Sequence, residues 1–188
     1  MSMKTVLVLL GELDDDDLDW MIENSDRLEV PAGTILIHEG QPISHLYILL
    51  EGVLSVTANV VQGREIANLL SGDIVGEMSF VDTRLPSATV TAKQNSLVLA
   101  ISRKQLADKL KLDVGFAARF YRALAISLSN RLRMTVHQLN MPNTSPDRDL
   151  DSDLSLNELA PEAKENVKLA RTRLDWLLRR LKDENSDQ

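Results

Sequence analysis

Between residues 27 and 60 the apolar positions fall in short runs: Leu28 and Val30, then Ile35-Leu36-Ile37, then Leu46-Tyr47-Ile48-Leu49-Leu50, then Val53, Leu54 and Val56. Runs rich in β-branched and large apolar side chains at this spacing predict strands. Gly33, Gly40, Gly52 and Gly63 punctuate them, and residues 60–66 read as a hairpin. Several short strands in succession predict an antiparallel barrel or jelly roll, with residues 97–101 as its closing strand. Helical patterning flanks the strands. Asp14 to Asp17 precede Leu18, Trp20, Met21 and Ile22, and acids in that place cap a helix and complement its positive end. Residues 5–10 are apolar and fit the edge of either a helix or a strand. After Ser102 the period is helical again. Ser102 followed by Gln105 is a capping-box pattern for a short helix through Leu110. Residues 116–140 then read as one long amphipathic helix, with Leu124, Leu128, Leu132 and Leu139 in a stripe and Thr135 in the same stripe. A polar residue in such a seam specifies register in a helix dimer. The expected class is therefore mainly β with helices, α+β.

Residues 71–92 read as strand, glycine, one helical turn, loop, strand. A glycine ahead of a short helix leaves backbone N–H groups at the helix N-terminus, a place suited to an anion, phosphate above all. Glu77, beside Gly76, is an acceptor suited to a sugar hydroxyl. Glycine-plus-helix turns are common, so geometry alone does not name a ligand.

The wider pattern does. Gly76-Glu77, a spacer, and Ser87-Ala88-Thr89-Val90 resemble the phosphate-binding cassette of the cyclic nucleotide-binding domain family, the effector domains of catabolite activators and kinase regulatory subunits. The glycine turns of residues 31–40 and 46–56 resemble that family's first strands, and the match spans roughly residues 10–140. The resemblance implies an antiparallel β-roll with a short N-terminal helix and a long C-terminal helix that dimerises. It implies a ligand site at Gly76, Glu77, Met78, Ser79, Arg84, Ser87 and Ala88. Thr135 matches the hydroxyl that meets the adenine, against the plainer reading of an ordinary seam threonine. The implied ligand is a cyclic nucleotide, cyclic AMP before cyclic GMP, or none if the pocket is degenerate. One position departs from the pattern. The family's arginine, which pairs with the cyclic phosphate, is Pro86 here, and the nearest arginine is Arg84.

Charge and composition narrow the function classes. The net charge is −7 over 188 residues, which argues against general affinity for nucleic acid or anionic membranes. There is no cysteine, hence no disulfide or thiol chemistry. The apolar start is too short for a spanning helix and shows no cleavage site, so a cytoplasmic protein is expected. His38, His45 and His137 are scattered and match no metal spacing or catalytic arrangement, so no enzyme is expected.

Past Met141 the composition shifts. Residues 141–160 read as an acidic linker, following a cyclic nucleotide-binding-like domain over 1–140. Asp147, Asp149, Asp151, Asp153 and Glu158 fall at calcium-loop positions, but Ser152 stands where the loop wants glycine and no entering helix precedes it. A solvated linker is the reading. Residues 161–188 hold an amphipathic tail helix: Val167, Ala170, Leu174, Leu177 and Leu181 recur at helical spacing beside Leu169 and Trp176, and the other face is basic. Packing on the domain, or pairing with a second copy, is expected of it. No helix-turn-helix with a wing fits the remaining residues, so DNA binding by this chain itself is not expected. Three functions stand at this stage: a stand-alone cyclic-nucleotide sensor acting on a partner protein, a ligand-free interaction module, and a transcription regulator acting through a partner.

Overall fold

The computed structural model describes residues 10–140, except the side chains of 130, 131, 134, 135 and 137–140, together with residues 168–170, 172, 173, 176 and 179. Residues 5–9, the acidic linker with its calcium-loop pattern, and Pro161 lie outside the described residues, as does the side chain of Thr135.

Among the described residues, eight strands form two antiparallel four-stranded sheets. In chain order they are β1 (Ser25–Val30), β2 (Ile35–Ile37), β3 (His45–Glu51), β4 (Val53–Thr57), β5 (Glu65–Leu70), β6 (Ile74–Val75), β7 (Thr89–Ala92) and β8 (Ser96–Ser102). One sheet has the order β1-β8-β3-β6 and the other β2-β7-β4-β5. Four helices among the described residues are labelled α1 (Asp15–Glu23), α2 (Glu77–Asp82), α3 (Arg103–Leu112) and α4 (Val114–Asn140), and residues 10–12 and 168–170 are helical as well. The class is α+β, as the periodicity predicted. The hairpin between β4 and β5 turns through a short 3-10 helix, Asn59–Val61.

The side-chain period of two sorts β3 and β8 between two cores. Leu46, Ile48, Leu50, Leu97, Leu99 and Ile101 face the helices, where they meet Leu18, Met21, Leu106, Phe116 and Phe120. Leu49 and Val98 face the other sheet, among Val30, Ile37, Leu54, Val75, Val90 and Ala92. Both faces of these central strands are buried, which explains their nearly unbroken apolar text.

Two helix starts differ from each other. Asp14 caps α1 through a reciprocal box: Asp17 N–H donates to Asp14 Oδ1 at 2.9 Å, and Asp14 N–H to Asp17 Oδ2 at 3.0 Å. The capping box expected at Ser102 is not formed, for its side chain makes no cap bond to α3. The first amide of that helix is satisfied otherwise, since Arg103 N–H donates to the Ser44 carbonyl at 2.9 Å. The long helix begins at Val114, and its predicted stripe divides. Leu124 is buried in the chain's own core, while Leu132 is 65% exposed. Among the described residues, no helix is long and apolar enough to cross a membrane.

Candidate functional site

The stretch 71–92 leaves one sheet and arrives in the other. β6 pairs with β3 (Tyr47 opposite Val75), whereas β7 pairs with β2 and β4. Between them the chain turns at Gly76, whose φ of 91° and ψ of 0° lie in the left-handed region. A Cβ here would stand 2.9 Å from Ile43 Cδ1, a side-chain end that can move aside, so it is the left-handed backbone that requires glycine. α2 follows at once, held by Phe80 N–H donating to the Gly76 carbonyl at 3.2 Å. Glu77 and Ser79 are buried, Met78 is half exposed, and α2 ends at Thr83, which is itself left-handed.

The return to β7 is laced to the β2–β3 loop. Gly40 N–H donates to the Pro86 carbonyl at 2.8 Å, and Glu39 N–H to Thr89 Oγ1 at 3.1 Å. The Glu39 carboxylate in turn accepts from Asn59 N–H at 2.8 Å. Three loops far apart in sequence are thus tied around one end of the roll.

Of the residues singled out from sequence, Gly76, Glu77, Met78 and Ser79 stand together at the start of α2. Ser87, exposed, and Ala88, half-buried, stand on the segment leading into β7. Arg84 does not join them. Its side chain is 86% exposed, and its guanidinium Nε lies 3.8 Å from Asp82 Oδ2. Thr135 lies on α4, and its side chain is not among those described.

Arg103 was not singled out by sequence, yet it braces this unit. Its Nη2 donates to the Ser79 carbonyl at 2.8 Å, and its guanidinium carbon lies 5.5 Å from the centre of the Phe80 ring. Phe80 meets Phe120 of the long helix edge-on, centroids 6.2 Å apart. A groove of about 320 Å³ lies behind α2, lined by Phe80, Thr83, Arg103, Ala107, Leu110 and Tyr121 among others. No local pattern marks Arg103, because its acceptor is 24 positions away in sequence.

A glycine-led short helix thus joins two antiparallel sheets and is backed by a long helix. The family model described as "Cyclic nucleotide-binding domain" matches residues 27–113, and that part of the chain is a domain of this type. The chain is 28% identical over 117 residues to an uncharacterized NTE family protein of Mycobacterium tuberculosis, covering 62% of this chain and 20% of that protein. It is 27% identical over 124 residues to the cAMP-activated global transcriptional regulator CRP of Escherichia coli O157:H7, covering 64% of this chain and 57% of that one. The chain thus spans less than two thirds of either relative's length. Among solved structures, a cyclic nucleotide-binding domain from Methylobacillus flagellatus superposes with a TM-score of 0.66 at 22% identity, over 77% of this chain and 85% of that one, and shows the fold. The domain is regulatory in class.

Proposed function

We propose that this domain senses a cyclic nucleotide, cyclic AMP before cyclic GMP, and reports its occupancy to a partner protein in signal transduction. The observation that carries the reading is the buried Glu77 carboxylate beside the left-handed Gly76 at the start of α2, with Ser87 and Ala88 on the segment that returns to the other sheet. Glu77 suits the ribose hydroxyl, and the amides of the α2 N-terminus suit the cyclic phosphate. The likeness to a cAMP-activated regulator supports the choice of nucleotide. Phe80 against Phe120 is the route by which a shift of α2 reaches α4. Ligand control then consists of a difference in nucleotide affinity between two positions of that contact. The exposed Leu132 and Val136 of α4 support pairing of two copies along that helix.

The test is calorimetric titration with cyclic AMP and cyclic GMP, repeated on Glu77→Ala. Micromolar binding that the substitution abolishes is expected. Absence of binding by either nucleotide at millimolar concentration sinks the reading. A second reading, a ligand-free interaction module, is favoured by Pro86 in the arginine's place and by Arg84 standing in solvent.

A further inference from the structure

The α2 helix is six residues long, too short to be stable in water by itself. Its position in the fold therefore comes from what it touches. At its start, Ile43 Cδ1 and the His45 carbonyl are the atoms nearest the Cβ position of Gly76. Along its length Glu77 and Ser79 are buried, while Met78 and Val81 are half exposed. Behind it, toward Ala107, Leu110 and Tyr121, lies the groove of about 320 Å³. Open space rather than close packing borders α2 on that side, so the few contacts that cross it decide where the helix stands.

Arg103 makes that crossing. It is the first residue of α3 and is half-buried. Its main-chain N–H donates to the Ser44 carbonyl at 2.9 Å, and its Nη2 to the Ser79 carbonyl at 2.8 Å. Its Nη1 stands 3.5 Å from the Ile43 carbonyl, a longer contact. The last four carbonyls of a helix have no donor within it, and in a helix that ends at Asp82 the Ser79 carbonyl is one of these. The guanidinium carbon also lies 5.5 Å from the centre of the Phe80 ring, and that ring meets Phe120 of α4. One side chain thus reaches the loop ahead of β3, the end of α2 and the ring that faces the long helix.

The arrangement suits arginine in particular. A planar fork sends N–H groups toward two carbonyls while its face rests on a ring, whereas an ammonium is a point charge on a flexible stem. A lysine in this place keeps the charge and one carbonyl but not the bridge.

We infer that Arg103 is a positioning residue of the candidate site. It acts through α2 rather than on the ligand, fixing that helix, and Glu77 with it, against the 38–44 loop and α4. A helix held in place beforehand spares the ligand the work of ordering it, so the brace sets ligand affinity. The inference rests on the cyclic-nucleotide reading for what α2 holds, but not for how α2 is held.

The test uses the full chain with Arg103→Met, which keeps an apolar stem against Phe80 and removes the donors, and with Arg103→Lys. Hydrogen exchange is followed by mass spectrometry without nucleotide, on peptides covering residues 77–83, with peptides from β1 and β4 as reference. Arg103→Met is expected to speed exchange in 77–83 by about tenfold and to leave β1 and β4 as they are, with Arg103→Lys falling between variant and parent. In a calorimetric titration, Arg103→Met is expected to raise the dissociation constant for cyclic AMP by about tenfold, and Arg103→Lys to recover part of that loss. Unchanged exchange in 77–83, or equal acceleration in β1 and β4, overturns the positioning role. Faster exchange in 77–83 with undiminished nucleotide affinity overturns it as well, because α2 is then loosened without consequence for the site. A parent chain that binds neither nucleotide removes the sensor reading, and the exchange measurement then decides on Arg103 alone.

Discussion

At position 86 a proline stands where the family pattern has a phosphate-pairing arginine. Proline has no N–H and no charge, and its carbonyl is already engaged by Gly40. A charge-assisted bond contributes ~1.5–3 kcal/mol, so under the proposed sensor function the exchange is expected to weaken phosphate binding by about ten- to a hundredfold. Pro86→Arg keeps the carbonyl and restores the cation, and is expected to tighten cyclic AMP binding by that factor in a calorimetric titration. An unchanged affinity would mean that the phosphate does not face residue 86. Gly76 sets the opposite condition. Gly76→Ala forces a Cβ into a left-handed backbone and to 2.9 Å from Ile43 Cδ1. The backbone penalty is roughly 1–2 kcal/mol, and Ile43 must shift its side-chain end to make room. A lower urea midpoint together with loss of nucleotide binding is expected. Both residues were legible in the sequence, because turn chemistry and motif are local. Arg103 was not, since its purpose depends on where Ser79 lies in the fold.

Among the elements, α1 is held to α4 by one arginine. Arg119 grips Asp17 with two bonds, while the same carboxylate closes the cap of α1. Burial, the largest single influence, pushes the Asp17 carboxyl up, but the Arg119 bond, the Asp14 main-chain amide and the Arg119 charge together outweigh it and hold it below the ordinary value. The sign follows from linkage. A group whose folded pKa is depressed contributes stability in full above its unfolded value, about 3.9, and that contribution is lost as pH falls through the folded value. Asp17→Asn is expected to cost about 2–3 kcal/mol at pH 7, below the figure for a fully buried pair because Arg119 is partly exposed. It is also expected to flatten the fall in urea midpoint as pH drops below roughly 4. Equal steepness in variant and parent would place the acid sensitivity elsewhere. The cap of α1 could be read from four consecutive acids. Their partner could not, since Arg119 is 102 positions away from Asp17. Ser102 shows the reverse case, a capping-box pattern in the sequence whose side chain makes no cap bond in the fold.

For the molecule as a whole, periodicity was enough to read the strands but not their distribution between two sheets, because pairings such as β1 with β8 join distant segments. The long helix was legible as a helix, and its stripe as apolar. Which part of the stripe belongs to this chain's own core became clear only from the packing. Leu124 is spent inside, while Tyr121, Leu132 and Val136 are 47%, 65% and 49% exposed. These three lie eleven and four positions apart, on one side of α4. An exposed seam of that kind is paired most simply by a second copy, with each residue meeting its own symmetry mate or a near neighbour. Covering one leucine contributes roughly 1.5–3 kcal/mol, and two-fold symmetry counts it twice. Leu132→Glu removes that contribution and sets two carboxylates near each other, so a rise of about a hundredfold or more in the dimer dissociation constant is expected. Light scattering at micromolar concentration is expected to give twice 21.0 kDa for the parent and 21.0 kDa for the variant. A monomeric parent removes the dimer from the proposed mechanism. A dimeric variant moves the seam away from α4, and with it the route by which Phe80 and Phe120 would carry nucleotide occupancy to the second copy.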